Sequence, residues 1–174
     1  MKIFIRGRPG AGKTTLVKKL LKTIKSPYAG FLTEEIREAG ERVGFKIVTT
    51  DGREGILARK DFPSPYQVSG YGVNLEDFER VALPVLARAS DQHVVIDEIG
   101  KMELFSGRFK KTITDLFARS DRSIIATIPI CRLSFIEELI EKYQPRLFEL
   151  ETDNRERIGR ELETLGNEAF RVTV

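Results

Sequence analysis

The spacing of apolar residues changes several times along the chain. Ile3, Phe4 and Ile5 give residues 2–6 the unbroken apolar run of a buried strand, and a glycine-rich turn follows at 7–12. Leu16, Leu20 and Ile24, with Val17 and Leu21, then recur at helical spacing, while Lys18, Lys19 and Lys22 fall off that stripe. Between residues 29 and 50 the pattern alternates: Val43, Phe45, Ile47 and Thr49 are interleaved with Gly44, Lys46 and Val48. Pairing with 30–37 through a turn at Glu38-Ala39-Gly40-Glu41 predicts an antiparallel hairpin. Residues 51–73, rich in glycine with two prolines and two tyrosines, offer one short strand at 54–58 and are otherwise expected to be a mobile surface loop.

An alternating strand–helix pattern resumes at Asn74. Leu75, Phe78, Ala82, Val85 and Ala89 mark a helix containing Pro84, expected to be kinked there. Val94, Val95 and Ile96 form a buried strand ending at Asp97-Glu98, and Phe109, Ile113, Leu116 and Phe117 a helix. Ile124 to Ile128 read as a further strand. Ser134 and Glu137 have the spacing of a capping box, opening a helix with Ile136, Leu139, Ile140 and Tyr143 inward. Leu147 to Leu150 form a strand. A last helix, capped by Asp153 or Asn154, carries Ile158, Leu162 and Leu165, should stop at Gly166, and leaves 170–174 as a possible edge strand. The expected fold is α/β, with a mostly parallel central sheet covered by helices on both faces. The hairpin and loop, at about 29–73, are inserted into a single domain spanning 1–174.

Composition narrows the class. The 174 residues carry 29 basic and 26 acidic side chains, a net charge of +3, too mild for a dedicated nucleic-acid binder. One cysteine excludes an internal disulfide framework, and no apolar run is long enough to span a bilayer. A soluble, cytoplasmic protein with no membrane or nucleic-acid partner is expected, the monomer favoured. High charge with few Asn, Gln, Met and Cys leans toward a heat-adapted source.

Candidate chemistry begins at Gly7-Arg8-Pro9-Gly10-Ala11-Gly12-Lys13-Thr14, which fits G-x-x-x-x-G-K-[ST] at every specified position. Such a match arises by chance in about 1% of chains of this size. It follows a strand and opens a helix, as a phosphate-binding loop must. Loop N–H groups would converge on phosphate oxygens, Lys13 would bridge the β- and γ-phosphates, and Thr14 would ligate Mg²⁺. Thr15 is either near the α-phosphate or solvated. Asp97 fits a second metal-holding position and Glu98 the group that activates water, at the strand end that faces the ligand crevice in parallel sheets. Adjacent acids of this kind point to phosphate-loop proteins with an extra strand between the two site-bearing strands, and 124–128 is the candidate. Thr127 is then a sensor of the γ-phosphate or an ordinary strand-end residue. Lys101 and Glu103 either face the site or lie in solvent, and Arg8 and Arg132 are candidate cations for developing charge. His93 and Cys131 are read as structural.

The segments GRPGAGKTTL, AGFLTEEIREAGERVGFKIV, VVIDEIGKMEL and TDNR together resemble the thermophile phosphatase-like nucleoside-triphosphatases, a family whose human relative is the cancer-related nucleoside-triphosphatase. The resemblance spans nearly the whole chain. It implies a RecA-like P-loop fold and Mg²⁺-dependent hydrolysis of ATP, GTP, CTP and UTP to the diphosphate, with little base discrimination. It also implies that Asp97, Glu98, Ile99, Gly100, Lys101, Met102, Glu103 and Leu104 form a second nucleotide-contacting segment. Asn154 and Arg155 match the family's C-terminal Asn-Arg pair, near base or ribose, or else simply open a helix. The N/T-K-x-D motif of base-reading GTPases is absent. Three functions remain open: a stand-alone hydrolase, a nucleoside or nucleotide kinase with 51–73 as lid, and a nucleotide switch completed by a partner.

Overall fold

Ile3 and Ile5 of strand β1 (Lys2–Gly7) are buried on one face of a sheet and Phe4 on the other. That alternation, repeated strand by strand, builds a core on each side. The computed structural model describes residues 1–24, 26–89 and 93–169, so the strand expected over 170–174 lies outside the described residues. After β1 come α1 (Lys13–Thr23), β2 (Tyr28–Glu38), β3 (Glu41–Thr49), β4 (Glu54–Arg59), β5 (Gln67–Val68), β6 (Tyr71–Val73) and α2 (Leu75–Ala87). The chain continues through β7 (His93–Asp97), a 3₁₀ turn (Glu103–Phe105), α3 (Gly107–Ala118), β8 (Ile124–Pro129), α4 (Ser134–Tyr143), β9 (Arg146–Leu150) and α5 (Arg155–Ala169).

The strands form one sheet in the order β5-β6-β4-β3-β2-β7-β8-β1-β9. From β2 to β9 every neighbour is parallel, and from β2 outward to β5 every neighbour is antiparallel. β8 lies between β1 and β7, the place expected for the extra strand. Helices α1 and α5 cover the face carrying Ile3, Ile5, Val95 and Ile125. Helices α2, α3 and α4 cover the face carrying Phe4, Phe31, Val94, Ile96 and Ala126. No helix among the described residues is long and apolar enough to cross a membrane.

Three expectations need correction. Residues 51–73 are not a loop: β4 pairs with β3, β6 with β4 and β5 with β6, with Leu57, Ala58, Tyr71 and Val73 buried in the core. Asp77 of α2 fixes this layer by accepting the Ile56 N–H at 2.6 Å. Ser134 does not cap α4, because Leu133 holds the cap position with no side-chain cap bond, and Glu137 reaches Arg6 at 3.5 Å instead. Gly166 does not stop α5, which continues to Ala169.

β2 outruns β7. The last residue pair between them is Leu32 with Asp97, so residues 33–38, with their β3 partners, project past the C-terminal edge of the parallel sheet. Phe31 anchors the base of this overhang, with ring centroids 5.9 Å from Phe78 of α2, which lies 5.2 Å from Phe109 of α3. Truncating a fully buried aromatic removes its transfer energy and leaves a cavity. Phe78→Ala should therefore lower unfolding stability by about 3–5 kcal/mol in a denaturant titration.

Candidate active site

β1 ends at Gly7, and the chain then turns back to start α1 at Lys13. Gly10 and Gly12 have φ of +79° and +93°, a region where side chains bring strain, so the turn depends on these glycines. Gly12 caps α1 without a side-chain acceptor, and the first turn of the helix holds no acid. The helix N–H groups and the positive end of its dipole are thus left for an outside anion. The Lys13 side chain is buried and folds back over the loop, donating to the carbonyls of Gly7 at 2.9 Å and Arg8 at 3.4 Å.

β7 places Asp97 opposite this loop. Asp97 is 1% exposed, its Oδ1 accepts from the Thr127 hydroxyl at 2.5 Å, and its backbone carbonyl accepts from Thr33 at 2.5 Å. Its Oδ2 is buried with no hydrogen-bond partner. Burial pushes this carboxyl above the usual range, opposed by Thr127, Thr14 and Lys13. Thr127, proposed from sequence as a phosphate sensor or a strand-end residue, is spent on Asp97.

Glu98 turns into the cleft with Oε2 3.4 Å from Lys13 Nζ, across a cis peptide bond from Asp97. Burial raises its carboxyl too, against the pull of Lys13. The chain then doubles back, so that Glu103 is buried with Oε2 accepting the Gly100 N–H at 3.0 Å. A Cβ at Gly100 would lie 2.8 Å from Glu98 Oε1 and 3.0 Å from Glu103 Oε2, so a side chain there would make one or both carboxyls shift. Burial, and then the charge of Glu98, push Glu103 up to about 8.

These groups line a cleft of about 830 Å³, together with Pro9, Gly10, Gly12, Thr14, Thr15, Lys101 and Met102. Ile99 is not brought to it: its side chain is fully buried in the core, and its N–H donates to Thr127 O at 2.9 Å. Leu104 likewise packs against that core. Asn154 spends its side chain on the β9–α5 turn, accepting from Glu151 N and donating to Glu149 O. Arg155 sits behind the loop, donating to Ala11 O at 3.1 Å and blocking any side chain at position 12. Arg8 and Arg132 are exposed and not among the cleft's lining residues, whereas exposed Cys131 is.

The far wall, from the β2–β3 overhang and the β5–β6 turn, was not anticipated from sequence. Thr33, Glu34, Glu35, Arg42, Phe45 and Tyr71 belong to it, and Lys18 of α1 bridges to Glu34 at 2.5 Å. The available signal was the run Thr33-Glu34-Glu35, two residues past the buried Phe31, on a strand that pairs with β7.

The buried acids make stability depend on pH. Glu103 keeps its proton in the folded chain to about pH 8, whereas the unfolded chain loses it in the ordinary carboxylate range. Stability of the nucleotide-free protein should therefore fall as pH rises through that window. Glu103→Gln, neutral throughout, should narrow the loss of Tm between about pH 5 and about pH 9. An equal loss in both proteins would contradict the burial argument.

Relatives of this chain are nucleoside-triphosphatases by name. The protein family described as NTPase matches residues 2–162. Nucleoside-triphosphatase THEP1 of Thermotoga sp. (strain RQ2) is 47% identical over 164 residues, covering 93% of each chain. The crystal structure of THEP1 from the hyperthermophile Aquifex aeolicus superposes with a TM-score of 0.87 at 40% identity, covering 95% of this chain and 98% of that one. The solution structure of a human cancer-related nucleoside triphosphatase gives 0.82 at 34% identity, covering 97% and 98%. With a family match over almost its whole length and relatives this similar, the chain belongs to the NTPase family of nucleoside-triphosphatases.

Proposed function

We propose that this chain hydrolyses nucleoside triphosphates to the diphosphate and phosphate, with Mg²⁺ and with little preference for the base. The observation that carries the reading is the Lys13–Glu98 contact of 3.4 Å inside a loop built to hold phosphate. The contact supports the reading because it sets a carboxylate beside the lysine that would hold a terminal phosphate. The loop N–H groups and Lys13 bind and orient the triphosphate, and the Lys13 charge offsets the negative charge gathered there. Glu98 accepts the proton of the attacking water, and its raised affinity for protons suits that task.

Residues present fit a magnesium ion. Thr14 offers a hydroxyl, and the unpartnered Asp97 Oδ2 is a buried acceptor lacking its donor. No cluster of three or more His, Cys, Asp and Glu among the described residues forms a closed cage, so the remaining ligands would be phosphate oxygens and water. When bound, the ion would neutralise the phosphates and the Asp97 charge together. Thr127 holds Asp97 in orientation for this role. The absence of a base-reading motif supports use of ATP, GTP, CTP and UTP alike, by a protein acting as a cytoplasmic monomer.

Phosphate release from the four triphosphates is the test. All four should be turned over in Mg²⁺ and none after chelation with EDTA. Glu98→Gln should lower kcat by about 10²- to 10⁴-fold with little change in nucleotide affinity. Lys13→Ala should damage binding and turnover together. Full activity in Glu98→Gln would overturn the base assignment.

A further inference from the structure

Helix α5 opens on Arg155, a cation at the positive end of a helix dipole, where an acid would be favoured. Among the described residues no ion pair offsets that placement. Instead the Arg155 Nε donates to the Ala11 carbonyl at 3.1 Å, across 144 residues of sequence. Its Cζ, Nε and Nη2 lie 2.9, 2.9 and 3.1 Å from the point where a Cβ on Gly12 would stand, so the guanidinium fills the space behind that glycine. The arginine rises from a firm base. Ile158 and Leu162 of α5 are buried among Leu16 and Leu20 of α1. Gly159 lets the two helices close, with Leu16 Cδ1 3.4 Å from where its Cβ would be.

The bond falls on the peptide whose orientation decides what the loop offers an anion. In a trans peptide the C=O and N–H point in opposite directions. Holding Ala11 O against α5 therefore aims the Gly12 N–H away from Arg155. Gly12 lines the cleft and Arg155 does not, so that N–H is turned to the cleft side, and it has no partner among the described residues. The Ala11 N–H, by contrast, is spent on Arg8 O at 3.1 Å. Gly12, at φ +93°, has no Cβ to hinder rotation of this peptide. Turned over, the peptide would present its carbonyl to a phosphate. We propose that Arg155 is a positioning residue, which braces the loop in its anion-accepting form and touches neither base nor ribose. This role rests on the loop being a triphosphate site, and it gives α5 a part in substrate affinity with none of its atoms on the substrate.

Calorimetric titration of the full chain in Mg²⁺ tests this with two probes, the β,γ-imido analogue of ATP and inorganic tripolyphosphate, which has neither base nor ribose. Arg155→Ala should weaken both by the same factor, about tenfold or more. Arg155→Gln should recover most of that loss, because its amide nitrogen stands at the same place along the side chain as Nε and carries no charge. Arg155→Lys keeps the charge but puts carbon at that place, and should recover less; this pair decides the matter even if Arg155→Ala folds poorly. In steady-state assays Arg155→Ala should raise KM by a larger factor than it lowers kcat, and the pH profile of kcat should keep its shape. Weakening of the ATP analogue alone would make Arg155 a base or ribose contact and overturn the brace. Recovery by Arg155→Lys but not by Arg155→Gln would assign the effect to charge and overturn it as well. Unaltered affinities with hydrolysis intact would overturn the brace and leave the hydrolase standing. A wild-type chain that bound neither probe would remove the triphosphate site and the brace with it.

Discussion

Burying the Asp97 carboxylate is costly, and much of the molecule is arranged around that cost. A charge at a buried strand end is tolerated only with donors and opposite charge around it. Thr127 comes from β8, Thr14 and Lys13 from α1, and Thr33 from β2. With β7 itself, four separate segments therefore have to be in register before this group can be placed. The parallel order β2-β7-β8-β1 is what brings them together, because parallel strands put all their C-terminal ends on one edge. One oxygen stays unpartnered even so, and on the proposed reading it is the acceptor that a magnesium ion would meet.

Glycine does the corresponding work in the backbone. At Gly10 and Gly12 it allows a turn that wraps around an anion, and at Gly100 it allows two carboxyls to approach one point. At Gly10 and Gly12 a side chain would strain the backbone, and at Gly100 it would push on the carboxyls.

The parts legible in the sequence were those set by neighbours in the chain. The phosphate loop, the acid-tipped strand and the helices with strong apolar stripes depend on local spacing, and each appeared where its pattern placed it. Even the extra strand between β1 and β7 was anticipated, from adjacent Asp97 and Glu98. The remainder depended on partners distant in sequence. β4, β5 and β6 are short and broken by Gly and Pro, and they are strands because β3 and one another complete their hydrogen bonds. Ser134 has the right spacing for a cap, but helix α4 takes Leu133 as its boundary and leaves Glu137 to Arg6. Gly166 lacks the local cost to end a helix already anchored by Ile158, Leu162 and Leu165 on α1. The far wall of the cleft was hidden because Glu35 and Arg42 read as ordinary solvated charges until the hairpin is seen to overhang the sheet.

The Lys13–Glu98 contact makes occupancy of the loop an exchange of anions rather than a simple addition. An arriving triphosphate must compete with a carboxylate that is tethered next to the lysine. A small anion such as free phosphate would offer fewer contacts in that contest, whereas a triphosphate would also engage the loop N–H groups and the helix end. On the proposed reading this contact, at 3.4 Å, yields at little cost to a triphosphate's affinity. On that reading the same displacement would free Glu98 only when there is a substrate for it to act on.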